Sequence, residues 1–414
     1  MSTTTPTGLS QSRTNVALIT LFLGTFVLGS AELVVVGVLN VIASNLQVSV
    51  ATAGSLVTAY ALGLSIGGPI LTALTIRVPR RVMLWLTLTL YILGTALAFL
   101  SVNFGMLVLA RVLTGSLQGL FVGVAFTVAT TIVPPERIGR AMSAVIGGFA
   151  VSTAIGVPLG TLIGQSFGWR GSFVAVAILG VVVLIAQLIV IPPVATSGAT
   201  GLGDQAKFAF APRVLAMLGL CILLFAGMYA SLTFITPFLQ QLTGISGGLI
   251  SAFLLAYGAA TAVGAFAGGR FADKNASRAI LIADVVVVIA LVVLYFVSAI
   301  PLLVAVALIL WGLFGFGLVP SLQYRVVSLA GPGGNLAATL PASAINAGIA
   351  IGALIGGWAL SSHGAAAPTV VGIIVCIVAI PVAWVTGFLK VPSSPAAADV
   401  PAPAEAAATE AASS

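Results

Sequence analysis

Apolar residues run along this chain in long blocks, parted by short polar punctuation, and not in the alternation of a half-buried strand. The blocks fall near 16–39, 50–75, 82–101, 104–132, 138–165 and 170–191, and again near 213–241, 247–270, 278–298, 300–329, 333–362 and 366–389. A helix crosses a bilayer with roughly 20 apolar residues. A helix also satisfies its own backbone donors and acceptors where no water can. The pattern therefore predicts twelve membrane-spanning helices. Residues 1–15 form a polar, Ser/Thr-rich tail, and no small-residue cleavage signal follows the first block, so a short tail is expected and not a signal peptide. The linker PPVATSGATGLGDQAKFAFAP (192–212) divides the chain into six-helix sets over 16–191 and 213–389. The Ala/Pro-rich end, 390–414, lacks a periodic apolar face and is expected to be disordered.

Composition agrees. The chain is 60% apolar and 6% charged, with a mean hydropathy of +1.24, whereas a soluble domain carries about 25% charged residues. A soluble enzyme, a nucleic-acid binder and a disordered chain are excluded as classes. The net charge of +7 is too scattered for a nucleic-acid surface, and it follows the excess of Arg and Lys on cytoplasmic loops. With the N-terminus inside, 13 of the 15 basic residues fall on cytoplasmic segments, Arg170 alone lies outside, and Arg111 lies within a span. Both termini are therefore expected in the cytoplasm. Cys221 and Cys376 sit in apolar runs and His363 stands alone, so neither a metal set nor a cofactor is expected. Few Lys against many Arg, with abundant Ala and Gly, points to a bacterium with a GC-rich genome.

The halves resemble each other. AYALGLSIGGPILTALTIRVPRR (59–81) aligns without gaps on AYGAATAVGAFAGGRFADKNASR (256–278), and GVPLGTLIG (156–164) on GIAIGALIG (348–356). The second span thus corresponds to the eighth and the fifth to the eleventh, each pair running in one direction. This predicts an all-α membrane protein of two parallel six-helix repeats, with a small-molecule path between them near the midplane.

Charges inside hydrocarbon are costly, so they mark function or pairing. Only Glu32 and Asp284 among the acids fall inside spans. Glu32 lies roughly 13 Å, and Arg111 roughly 10 Å, below the same surface. Thr25, Gly29 and Glu32 share one helix face, and Arg111, Gly115 and Gln118 share another. A carboxyl that is desolvated yet close to an arginine stands between opposed influences, and it can release and rebind a proton as water access changes. Two readings stand: Glu32 and Arg111 form a proton-coupling pair, or they form a static ion pair locking two helices. Asp284, nearer the cytoplasmic end, reads as a snorkelling or interface-paired acid. The glycines of the fifth and eleventh spans, with Pro158 inviting a bend, read as packing sites and as candidates for the contact on which the halves rock. Phe225, Tyr229, Phe234 and Phe238 in the seventh span, and Trp311, Phe314 and Phe316 in the tenth, are either core or an apolar substrate wall. Tyr229, Phe225 and Trp311 of that set, with Gln118 of the fourth span, are the candidate contacts.

These residues resemble the major facilitator superfamily, in its twelve-helix drug/proton antiporter branch, and within it the bacterial chloramphenicol-resistance and sugar-efflux exporters. The resemblance spans nearly all of 16–389. It rests on GSAELVVVGVLNVIASNL (29–46), AGSLVTAYALGLSIGGPILTAL (53–74), RVLTGSLQG (111–119), GVPLGTLIGQSFGWRGSF (156–173) and GRFADK (269–274). It implies a latch on the cytoplasmic side, carried over as Arg77, Arg80 and Arg81 in the first half and Asp273, Lys274 and Arg278 in the second. In the first half Ile76 takes the place of the family's Asp. It also implies a shortened antiporter motif at Gly156, Pro158 and Gly160, and Asn40 stands where the subgroup usually has Pro. The implied activity is export driven by inward proton flow, by a monomer in a bacterial inner membrane. The direction of transport comes from the resemblance alone. A sugar or metabolite exporter, an uncoupled facilitator and a non-transporting membrane sensor remain as alternatives.

Overall fold

The computed structural model describes residues 11–75, 77–134, 137–193, 207–331, 337–338 and 340–392. The beginning of the N-terminal tail, most of the linker, the C-terminal tail, Ile76, Glu136, Asp204 and the side chain of Asp273 lie outside the described residues. Among the described residues the regular structure is all helix, without a strand. Twelve helices are long and apolar enough to cross a membrane. They are α1 (Gln11–Gly37), α2 (Val50–Leu74), α3 (Arg80–Phe99), α4 (Phe104–Thr131), α5 (Ile138–Phe167), α6 (Trp169–Val190), α7 (Pro212–Gln241), α8 (Gly248–Ala272), α9 (Lys274–Phe296), α10 (Pro301–Ala330), α11 (Leu340–His363) and α12 (Ala367–Gly387). Two boundaries differ from expectation. Helix α1 already runs at Gln11, inside the expected tail, where Gln11 donates to Asn15 one turn on (3.1 Å) and accepts from Arg137. Helices α8 and α9 are parted at the single non-helical residue Asn275, whose side chain accepts from the Arg278 N–H (3.0 Å) as an N-cap does.

Burial sorts the helices. In α1 and α7, 67% and 72% of the apolar window is buried, against 28% in each of α6 and α12. The first two are therefore central and the last two peripheral. Ile178, Ile189, Phe296, Leu302 and Trp384 are exposed on the perimeter, an apolar surface suited to lipid and not to water.

An even number of spans returns the chain to the face where it began, here called the termini face, opposite a far face. The six-helix halves meet through α2 on α11 and α5 on α8, the two contacts that the repeat would exchange. Among the described residues the cross-half hydrogen bonds are few and neutral: Thr58 to Ala350 O (3.3 Å), Ser65 to Ser343 O (2.9 Å) and Thr236 to Val36 O (2.7 Å). One apolar core joins the far side of the first half (Val35 to Ala43, Leu56, Trp169) to the second half, whereas the termini side of the first half keeps its own core of Ala17, Leu21, Leu84, Phe121 and Ala141. The halves are thus zipped together towards the far face.

The arginines bind within their own half. Arg81 donates to Leu188 O, Arg213 to Leu329 O and Arg325 to Thr386 and Leu389 O, each near a helix C-terminus where bare carbonyls favour a cation. Arg170, the one basic residue expected on the far side, does the same for Phe99 and Ser101 O and also reaches Asn45.

Two helices of the first half bend. Both α2 and α5 contain a five-residue π turn, at Gly63–Gly67 and Ser152–Gly156, each just before a proline (Pro69, Pro158) that lacks the N–H to continue the ladder. Helices α8 and α11 have no such turn. The glycines expected at the rocking contact pack inside their own halves instead: Gly156 and Gly160 rest on Ser30 and Val34 of α1, and Gly352 and Gly356 on Ala226 and Ala230 of α7. What reaches across is the opposite face of α5. A Cβ at Gly258 of α8 would stand 2.0 Å from the carbonyl oxygen of Thr153, inside the π turn. Gly258→Ala must therefore push α8 off α5, at about 1–3 kcal/mol for overpacking. The expected outcome is opening of the far face. It is read as faster labelling of a Thr236→Cys probe by a membrane-impermeant thiol reagent in a chain whose own two cysteines are buried. Unchanged labelling would show that this contact does not hold the far face shut.

Candidate functional site

Helix α1 breaks after Gly37 and resumes as a two-turn helix, Leu39–Asn45. The β-branched run Val34–Val36 followed by Gly37 is a weak helix former, and the carbonyls at the break find other donors. Gln165 of α5 donates to Gly37 O (2.8 Å) and to the Asn40 side chain (3.0 Å), which gives Asn40 a structural task. Above the break the far face is closed; one turn below it lies Glu32.

Glu32 and Arg111 come together, though not as an ion pair. The Arg111 guanidinium donates to the main-chain oxygens of Ala31 (2.9 Å), Glu32 (2.9 Å) and Leu56 (3.4 Å) and lies 3.9 Å over the Tyr60 ring. The Glu32 carboxylate is held instead by Gln118, whose amide N–H donates to Oε2 at 2.5 Å. The amide oxygen of Gln118 accepts from the Tyr60 hydroxyl (2.5 Å), which meets the Tyr91 hydroxyl (3.1 Å), and Tyr91 in turn reaches Leu28 O (3.4 Å). Gly115 makes this possible. It lies between Arg111 and Gln118 on α4, and a Cβ there would fall 2.1 Å from the Tyr60 carbonyl. Without a side chain at 115, α4 closes on α2, so that Arg111 sits over the ring of Tyr60 and Gln118 bonds its hydroxyl.

Arg111 and Gln118 are each 1% exposed, but Glu32 is only half-buried. Among the described residues its second oxygen, Oε1, has no partner and is not among the sealed polar atoms; it is the open end of the network. The expected face of α1 splits: Thr25 bonds Val145 O (2.8 Å) and Gly29 packs on Ser152, both of α5, while Glu32 turns to α4.

Across the interface, Tyr229 of α7 lies near both Glu32 and Tyr257. Neither hydroxyl has a partner among the described residues, and neither is sealed. Tyr229 stacks on Phe225 (6.2 Å, 26°), Phe225 meets Phe316 edge-on (6.1 Å), and Tyr257 meets Trp311 edge-on (5.4 Å). Phe225 and Trp311 are at most 1% exposed, so they back this wall and do not line it. Of the expected substrate contacts, Gln118 is spent at both ends of its amide. Of the latch residues, Arg81 is bound to Leu188 O and Arg80 is buried, while Arg77, Lys274 and Arg278 are exposed. Tyr60 entered the sequence reading only as a repeat match, and Tyr91 did not enter it. The one signal either carried was a polar-tipped ring in the middle of an apolar block.

The architecture coincides with one family. The profile of the Major Facilitator Superfamily matches residues 21–342. The chain belongs to that superfamily. It is 35% identical over 361 residues to the uncharacterized MFS-type transporter YtbD of Bacillus subtilis, covering 86% of this chain and 91% of that one. It is 31% identical to a chloramphenicol resistance protein of Streptomyces lividans, covering 79% and 85%. Among solved structures, a bacterial homologue of the human lysosomal transporter Spinster, inward-facing and unoccupied, superposes with a TM-score of 0.76 at 18% identity, over 94% of this chain and 100% of that one. The protein is thus a multi-pass membrane transporter of the superfamily, in the lipid bilayer and with a small-molecule substrate, and not an enzyme.

Asp284 of α9 is not snorkelling, and among the described residues it is not paired. It is 0% exposed, and both oxygens are sealed without a partner. A buried polar group left unmatched costs about 1–3 kcal/mol. Asp284→Leu is therefore expected to raise the thermal unfolding midpoint in detergent, whereas a fall would reveal a partner that Asp284 holds in another conformation.

Proposed function

We propose that this superfamily member is a proton-coupled exporter of small, amphipathic, mostly neutral compounds of the amphenicol type. It works as a monomer in a bacterial inner membrane with both termini in the cytoplasm. The observation that carries the reading is Glu32, a carboxylate within the first crossing that is held on one oxygen by Gln118 and open on the other. Outward-facing, Glu32 takes a proton and substrate leaves; inward-facing, the proton passes to the cytoplasm and substrate rebinds. The wall opposite offers Tyr229, Tyr257 and stacked rings but no acid, and this favours neutral ligands over cations. The basic bias of the termini face supports the orientation, and the chloramphenicol resistance relative supports the substrate class. The exposed basic residues Arg77, Lys274 and Arg278, together with Arg80, Arg81 and Asp273, belong to the latch that closes the termini face in the other state. The bend at Gly156, Pro158 and Gly160 lets α5 follow.

The test is proton release from energised inside-out vesicles, followed by a fluorescent pH probe as chloramphenicol, arabinose and a cationic dye are added in turn. The expected outcome is collapse of the gradient by chloramphenicol, absent in Glu32→Gln. A response to arabinose alone would make the protein a sugar exporter. A response that survives Glu32→Gln would move the proton elsewhere, and silence from folded protein with all three would count against coupling to these classes.

A further inference from the structure

The Glu32–Gln118–Tyr60–Tyr91 chain has one acceptor more than it needs. With Glu32 ionised, three donors point along it: Tyr91 to Tyr60, Tyr60 to the Gln118 oxygen, and the Gln118 amide to the carboxylate. The last two are 2.5 Å long, and the Tyr60–Tyr91 contact of 3.1 Å allows either hydroxyl to donate. Leu28 O, 3.4 Å from the Tyr91 hydroxyl, is the spare. Protonation adds a fourth donor, the Glu32 O–H. If the Gln118 amide turns over, Glu32 donates to the Gln118 oxygen, Gln118 to Tyr60, Tyr60 to Tyr91 and Tyr91 to Leu28 O, so that four donors meet four acceptors. Only one O–H bond forms, at Oε1 of Glu32, by a proton entering from the open side, and the carboxyl turns over to present that O–H to Gln118; the tyrosines keep their own protons and change only the partner to which they donate.

Building on the coupling role of Glu32, we propose that Tyr60 and Tyr91 are positioning residues of the transport cycle, and that protonation of Glu32 reverses the direction of this hydrogen-bond chain from α1 through α4 and α2 to α3. The reversal reports the state of Glu32 to α2, where Thr58, two residues before Tyr60, makes a cross-half bond to α11. Buried polar chains of this kind carry cost and cooperativity together, since a donor without an acceptor in a low-dielectric site is penalised. The other titratable or charged groups around Glu32 are Arg111 on α4 and, across the interface, Tyr229 on α7. Helices α5 and α6 bring only Arg140 and Arg170, near their ends.

Tyr91→Phe separates the two arrangements. In the ionised one it removes a donor that Tyr60 can forgo. In the protonated one it leaves the Tyr60 hydroxyl with no acceptor. The expected result is a displacement of the pH midpoint of substrate-driven proton flux towards acid by about one unit, tenfold in proton concentration, in folded protein. Tyr60→Phe, which keeps the ring beneath Arg111, moves it the same way. Glu32→Gln is run alongside. Midpoints unchanged in both tyrosine variants, with flux lost in Glu32→Gln, would overturn the relay and leave the proton on the open oxygen of Glu32. A wild-type profile in Glu32→Gln would overturn the coupling role and the relay together.

Discussion

A guanidinium cannot be left bare in hydrocarbon, and much of the first half is arranged around that fact. Arg111 is matched by three main-chain oxygens and the face of an aromatic ring, drawn from α1 and α2. Helix carbonyls that already serve their own ladder have a second lone pair to give. The match fixes α1, α2 and α4 in register, and it requires the contact that only a glycine at 115 allows. It has a second effect. Because Arg111 is satisfied without the Glu32 side chain, the carboxylate is not needed to neutralise a neighbour at hydrogen-bond distance. Its charge can change without stranding the arginine, a freedom that a tight ion pair would remove.

The repeat makes the second half a control for this design. A Cβ at Gly312 would meet the Tyr257 carbonyl at 2.6 Å, as one at Gly115 would meet that of Tyr60, so the same close crossing recurs 197 residues on. Carried across that shift, Arg111 becomes Leu308 and Gln118 becomes Gly315. The crossing survives and the polar chain does not; Trp311 and Tyr257 fill the space as an edge-on pair. One half thus keeps the ionisable group and its hydrogen-bond partners, while the other presents rings. The division suits a transporter in which one bundle handles the proton and the other grips an apolar ligand.

The fold was legible because a bilayer allows few solutions: block length gave the helices, and the gapless match at 59–81 and 256–278 the repeat. Glu32 and Arg111 were legible because a charge in an apolar block is conspicuous. Depth and helical spacing, however, cannot say which atom a guanidinium will choose, and the ion pair expected of them is a set of carbonyl bonds. The same limit explains the glycines of α5 and α11: spacing shows that a face is smooth but not which neighbour it meets, and here it meets the helix of its own half. Tyr60 and Tyr91 stayed hidden because tyrosine in an apolar helix is ordinary until a partner is placed beside its hydroxyl. The π turns have a signal in Gly67-Gly68-Pro69 and Gly156-Val157-Pro158, of which only the second, through Pro158, reads as a bend.

The distribution of bond types has a consequence for motion. The described arginine contacts, the glycines Gly156, Gly160, Gly352 and Gly356 and the Gln165 brace at the α1 break lie within one half or the other, where they rigidify it, while Gly258 lets α8 close on α5 across the interface. Between the halves stand Thr and Ser hydroxyls on carbonyls, each worth about 1 kcal/mol net, and an apolar seam towards the far face. Such an interface is cheap to exchange for another of similar size, so the halves can tilt as bodies without unmaking their interiors. In a balance this close, a shift of a few kcal/mol at one point decides the population. The chain from Glu32 passes through Tyr60, two residues from the cross-half bond of Thr58, where a change that small is enough to matter.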